Sequence, residues 1–213
     1  WIKSELENKL SLILYLIISL LLSAFIIRNL DINFLINTIL VSSAFYLFLI
    51  TLKDFFSKKF KNLSQNLAHF SFSLLILSIL FNNFLSTEII TNLKINETYE
   101  NDAFKINFEG IEQRDEQNFK AIIGKFVIEH NGGQTDIMQP ELRIYNQPNI
   151  ITSEADIKTT LYKDKFMTMN SVQNQEYFNI RYQVKPFMIW IWLSTFLISL
   201  SGLIGFFKKR YEN

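Results

Sequence analysis

Four stretches of this chain lose their polar positions and run apolar for about twenty residues each. They cover residues 10–27 (LSLILYLIISLLLSAFII), 33–52, 66–85 and 187–207, and none contains Asp, Glu, Lys or Arg. A helix rises 1.5 Å per residue, so about 20 apolar residues cross a hydrocarbon core of about 30 Å. The pattern therefore predicts four transmembrane helices. Three lie in a first domain, 1–86, and the fourth begins a last one, 186–213.

Between them, residues 87–185 switch to a period of two. AFKINF places Phe104, Ile106 and Phe108 on one face with Lys105 and Asn107 on the other, and EYFNIRYQV alternates through Phe178, Ile180, Tyr182 and Val184. FVIEHNGGQTDIM reads as a hairpin, with Asn131-Gly132 taking the positive φ of a tight turn. Five to seven short antiparallel strands closing into a small barrel or sandwich are predicted. The fold class is a membrane protein: an α-helical bundle of four spanning helices with an inserted all-β domain.

Charge sets the orientation. The second loop carries Lys53, Lys58, Lys59 and Lys61 and the tail carries Lys208, Lys209 and Arg210, whereas the first loop offers only Arg28. Short basic loops stay in the cytoplasm, which sends 87–185 to the periplasm or its equivalent. Tyr182, Trp190 and Trp192 then read as membrane–water interface aromatics, and Pro186 as a first-turn helix residue.

Composition narrows the chemistry. The 213 residues carry a net charge of +1, 49% hydrophobic residues and no cysteine. There is no disulfide framework, no thiolate metal site and no basic stripe for nucleic acid. No nucleophile elbow or Ser–His pattern supports hydrolysis. The opening at Trp1, with WIKSELENK charged rather than leader-like, suggests a piece of a longer protein, from a truncated sequence or a split gene.

Two histidines remain as candidates. His69, in NLAHFSFSLLILSIL, sits about one turn inside the third apolar stretch, roughly 5 Å from its cytoplasmic end. Ionisable groups at that depth face a bundle interior, a water path or a cofactor, so a structural boundary histidine, a haem ligand and a proton relay stay open. His130, beside a turn, reads as a surface residue without a carboxylate or histidine at metal-ligand spacing. Glu141, Arg143 and Tyr145 share one face of MQPELRIYNQPN, either the polar face of an edge strand or a docking surface. Trp190 and Trp192 are interface anchors whose rings could sit against a bound ring. Gly202 and Gly205 with Ser201 suit close helix packing.

Taken in order, LAHFSFSLLIL, LSTEIITNLKINETYE, FKINFEGIEQRDEQNFKAIIGKFVI, QPELRIYNQPNIITSEADIKTTLYKD and VKPFMIWIWLSTFLISLSGLI resemble the C-terminal third of the CcmF/NrfE family of cytochrome c-type biogenesis proteins. The resemblance implies a bacterial inner-membrane haem lyase component, a mitochondrial location being the lesser alternative. It implies work with CcmH, CcmI, the holo-CcmE haem chaperone and apocytochrome c at CxxCH motifs, with quinol as a possible donor. It also implies that His69 is one axial ligand of a membrane haem b. The second ligand and the tryptophan-rich segment that handles substrate haem belong upstream in the family. A haem-free assembly module and a ResB-like haem-transport component are the competing readings.

Overall fold

The computed structural model describes residues 2–28, 30, 33–57, 63–171 and 176–212, with the side chains of 2–8, 57 and 208–212 outside that description. The side chains of Lys58, Lys59, Lys61, Lys208, Lys209 and Arg210, which carry most of the orientation argument, fall outside the described residues. The chain divides into two compact units, 1–85 with 187–213, and 86–186.

The first unit is helical: α1 (Ile2–Arg28), α2 (Phe34–Ser57), α3 (Leu63–Leu85) and α4 (Met188–Glu212). All four contain a span long and apolar enough to cross a membrane: Lys9–Arg28, Phe34–Phe56, Leu63–Leu85 and Met188–Phe207. Leucines and phenylalanines cover the outside, while Ser19, Ser23, Ser42, Thr51, Ser71, Ser73, Ser194 and Ser201 are buried. Lipid tails are as apolar as leucine, so helix association rests on small residues that permit close approach and on interhelical hydrogen bonds. Ser19 Oγ lies 3.3 Å from Ser42 Oγ, and Thr51 Oγ1 2.7 Å from Ser73 Oγ. At the α3–α4 contact Ser64 Oγ donates to the Ser201 carbonyl at 2.8 Å. A Cβ on Gly205 would meet Ser64 Oγ at 2.6 Å, which explains the small-residue stripe there.

The second unit is a two-sheet β-sandwich of ten strands: β1 (Thr87–Leu93), β2 (Thr98–Glu100), β3 (Phe104–Asp115), β4 (Phe119–His130), β5 (Thr135–Met138), β6 (Glu141–Tyr145), β7 (Ile151–Glu154), β8 (Asp156–Thr159), β9 (Lys163–Ser171) and β10 (Phe178–Pro186). One sheet runs β1-β10-β9-β8. The other runs β2-β3-β4-β6-β7, with β5 also on β4. Strand number exceeds the five to seven predicted because β2, β5, β7 and β8 are three or four residues long, too short to display a period of two. The inward faces meet in a core of Phe104, Ile106, Phe108, Phe126, Ile128, Met138, Met167, Met169, Ile180 and Tyr182. Phe108 stacks on Phe126 at 4.3 Å between ring centroids. Gly124 admits this packing, since a Cβ there would approach Phe126 and Met169 to within 2.7 Å.

Local readings of the sequence change at three points. The hairpin exists, with Phe126 opposite Met138 and Glu129 opposite Thr135, but its left-handed residue is Gly133 (φ 75°), not Asn131 or Gly132. A four-residue loop, closed by His130 N–H donating to Gln134 O at 2.9 Å, moves that requirement one residue later. Tyr182 faces the sandwich core and is not an interface aromatic. Pro186 ends β10 opposite Lys163 instead of opening a helix, and Phe187 (φ 60°) makes the turn into α4.

Candidate functional site

Helix α3 separates its two faces cleanly. Asn66, Ser71, Ser73, Leu77 and Ser78 are buried within the helical unit. Gln65, His69, Phe72, Ile79 and Asn83 are exposed and recur at helical spacing along the opposite face. His69 lies six residues after Leu63, about 9 Å along the axis, on that outward face. Its imidazole makes no hydrogen bond, ion pair or ring contact among the described residues. A polar group at this depth that the helical unit leaves unsatisfied is suited to a partner from outside the unit. An imidazole is a common donor to haem iron, so the donor type of His69 fits that group. The chain's other histidine is His130, in the sandwich, so the helical unit offers a single imidazole.

Trp190 lies in the first turn of α4 and Trp192 opens the second; Trp190 is half-buried and Trp192 is 66% exposed. The face of Glu141, Arg143 and Tyr145 is assembled otherwise than predicted. Strand β6 is interior, hydrogen-bonded to β4 on one side and β7 on the other, because the short β7 covers its edge. Arg143 Nε donates to Glu141 Oε2 at 2.9 Å, and Arg114 Nη2 to Glu141 Oε1 at 3.2 Å. The Arg143 guanidinium lies 5.0 Å from the centroid of Phe119, which packs on Tyr145 at 5.2 Å. The register puts Ala121 and Ile123 opposite Arg143 and Glu141, and both are buried there. The trio thus forms an ion-paired cover over two apolar residues.

His130 is where the structure departs most from the sequence reading. Its side chain is only 16% exposed, and Nε2 lies 2.9 Å from Asp136 Oδ2. Lys165, from the other sheet, is itself buried; its Nζ donates to the same Asp136 oxygen and lies 3.1 Å from His130 Nε2. An ionised carboxylate only accepts hydrogen bonds and a lysine ammonium only donates them, so the tautomer of neutral His130 decides whether Nε2 donates to Asp136 or accepts from Lys165. Burial acts to raise the Asp136 pKa, but hydrogen bonds from Lys165 and His130, with their charge, hold it below the usual carboxylate value. The neighbouring Tyr182 phenol is pushed up by burial and by the Asp136 charge, and its hydroxyl has no partner among the described residues. The hairpin register carries the missed signal. Ile128 pairs with Asp136, so His130 and Asp136 keep the parity of core residues Phe126, Ile128 and Met138.

Residues 84–186 match the family model described as the CcmF C-terminal beta-sandwich. The cytochrome c-type biogenesis protein CcmF of Pseudomonas fluorescens is 24% identical over 148 residues, covering 70% of this chain and 22% of that protein. The Escherichia coli K12 protein of the same name is 22% identical over 145 residues, covering 68% of this chain and 22% of that protein. A solved structure, the cytochrome c heme lyase CcmF, superposes with a TM-score of 0.66 at 17% identity, covering 90% of this chain and 33% of the other. The fold is therefore that of CcmF. The chain spans about a fifth of the length of the curated relatives it matches.

Proposed function

We propose that this chain, a relative of the CcmF-type cytochrome c-type biogenesis proteins, supplies the C-terminal part of a membrane haem lyase and holds one side of a haem b through His69. The observation that carries the reading is the outward imidazole of His69 on α3, unpartnered among the described residues. In a low-dielectric surrounding an unpaired polar side chain is costly, and ligation removes that cost. A second haem-binding residue would come from the part of the longer relatives that this chain does not span. If bound, haem b would supply one-electron chemistry, and His69 is the residue of this chain that would hold its iron. The sandwich is assigned to the periplasmic side of a bacterial inner membrane, by the basic loop and tail that hold the other side. Haem attachment to apocytochrome c, with CcmH, CcmI and CcmE as partners and quinol as donor, is carried over from the resemblance to the whole lyase.

The test uses the protein together with its membrane partner regions, purified in detergent. Reduced-minus-oxidised spectra of wild type and His69→Ala are compared. Loss of the low-spin b-type bands, or a shifted midpoint potential, is the expected result. Unchanged bands at an unchanged potential exclude His69 as a ligand.

A further inference from the structure

The turn between β8 and β9 exposes two large apolar side chains, Leu161 (55%) and Tyr162 (70%). It is a tight turn. Thr160 N–H donates to Lys163 O at 3.0 Å, and Lys163 N–H donates to Thr160 Oγ1 at 3.1 Å. Its position in the sheet is fixed by register. Lys163 is paired with Pro186, the last residue of β10, and Val184 is paired with Thr87, the first residue of β1. Both chain connections to spanning helices therefore leave the sheet at this one end. Each connection is a single residue: Ser86 between α3 and β1, and Phe187 between β10 and α4.

Paired strands lie about 4.8 Å apart and rise about 3.3 Å per residue, so Leu161 and Tyr162 fall within roughly 10 Å of Pro186. Pro186 is two residues before Met188, where the last membrane span begins. The headgroup layer is about 6 Å deep on each side of the hydrocarbon core. We propose that the β8–β9 turn is a membrane anchor of the sandwich, placing Leu161 and Tyr162 in the lipid interface beside the two chain connections.

The surrounding chemistry agrees. Lys163 and Lys185 occupy the last two register pairs, with Pro186 and Asp164 as their partners, and supply cations for lipid phosphate. Asp164 lies at this end, and burial raises its pKa toward the neutral form, against a hydrogen bond from Thr159; Glu88, the second residue of β1, is ion-paired with Arg181. A tyrosine with an apolar neighbour and flanking lysines is the composition that membrane interfaces favour. The far end of the same sheet is different. There Asn92, Asn179 and Asn170 form one polar row, with Asn179 Nδ2 donating to Asn92 Oδ1 at 2.8 Å.

The chain has no cysteine, so single thiols can be introduced and labelled. Tyr162→Cys and Asn170→Cys carry an environment-sensitive nitrobenzoxadiazole dye on the full chain in phosphatidylethanolamine–phosphatidylglycerol nanodiscs. Asn170 lies seven residues along β9 from Lys163, about 23 Å away, and both sites are exposed. The dye at 162 is expected to emit to the blue of the dye at 170. Headgroup-nitroxide lipid should quench it several-fold more, and Leu161→Ser should reduce that difference. Equal emission and equal quenching at 162 and 170 overturn the anchor, whatever the fate of the His69 reading.

Discussion

The helical unit and the sandwich are built inside out with respect to each other. In the helices the residues hidden from the surroundings are mainly small and polar, Ser19, Ser23, Ser71, Ser73 and Ser194 being fully buried, while Leu21 and Leu35 point outward. In the sandwich Phe126, Ile128, Met167 and Ile180 are fully buried and most charges lie outside, the Asp136–Lys165 pair, Asp164 and Glu141 being the more buried ones. The difference follows from the solvent. Water drives apolar groups inward at about 25 cal/mol per Å². Lipid does not, which leaves close packing and hydrogen bonding to hold the helices together. One residue type should consequently have opposite importance in the two regions.

Phenylalanine gives the largest expected contrast. Phe126→Ala removes a ring that is stacked on Phe108 and fully buried, a truncation of a kind that costs about 3–5 kcal/mol. Phe196→Ala removes a ring that faces outward from α4, and its effect on folding should stay within about 0.5 kcal/mol. Hydrogen exchange of the solubilised chain reads both. β4 amides should lose most of their protection in the first variant, and α4 amides little in the second. Comparable losses would break the comparison.

Next in size is the ion pair inside the sandwich, the exception to its apolar interior. Lys165→Met leaves the Asp136 charge without its lysine and should cost about 2–4 kcal/mol, less than a fully buried pair because Asp136 is 22% exposed. Asp136→Leu in the same chain should recover most of the loss. The pH dependence has a definite sign. The folded pKa of Asp136 lies below its unfolded value, so its stabilisation is complete above the ordinary carboxylate pKa of about 3.9 and is lost as pH falls through the folded value. Asp164 runs the other way: its pKa is raised, and folding gains as pH falls toward the carboxylate range. Thermal unfolding between pH 7 and 3 should show a flatter acid limb in Asp136→Asn. An unaltered acid limb would remove the pair from the stability argument.

These cases show what the sequence reveals and what it hides. The helices are legible because about twenty uncharged residues in a row admit few alternatives. Period-two alternation exposes the longer core strands, such as Phe104–Phe108 and Phe178–Val184. Pairings distant in sequence are hidden. His130 meets Lys165 from 35 residues away, and β6 becomes interior through a four-residue strand with no pattern of its own. Proximity to α4 suggests a membrane position for Tyr182, whereas its parity with Ile180 puts it in the core. His69 is legible as an anomaly because a histidine interrupts apolar helix, but its outward direction emerges only once Asn66, Ser71 and Ser73 define the packed side.

The smallest expected effect belongs to the hydrogen bonds that replace a core in the helical unit. Thr51 Oγ1 and Ser73 Oγ lie 2.7 Å apart between α2 and α3. Each hydroxyl has one proton, and each has an acceptor within its own helix: Leu47 O at 2.9 Å for Thr51 and Phe70 O at 2.7 Å for Ser73. Ser73→Ala therefore removes a bond whose proton is already contested, and its cost should fall below the membrane average of about 0.6 kcal/mol. The hydroxyl of Ser153 in the sandwich donates to Met169 O at 2.7 Å and links β7 to β9. Its loss leaves a carbonyl of a core strand short of a donor, so Ser153→Ala should cost about 1 kcal/mol. Hydrogen exchange on α3 and β9 ranks the two. If Ser73→Ala proves the more damaging, polar contacts dominate the helical unit, and close packing of small side chains is the lesser contribution.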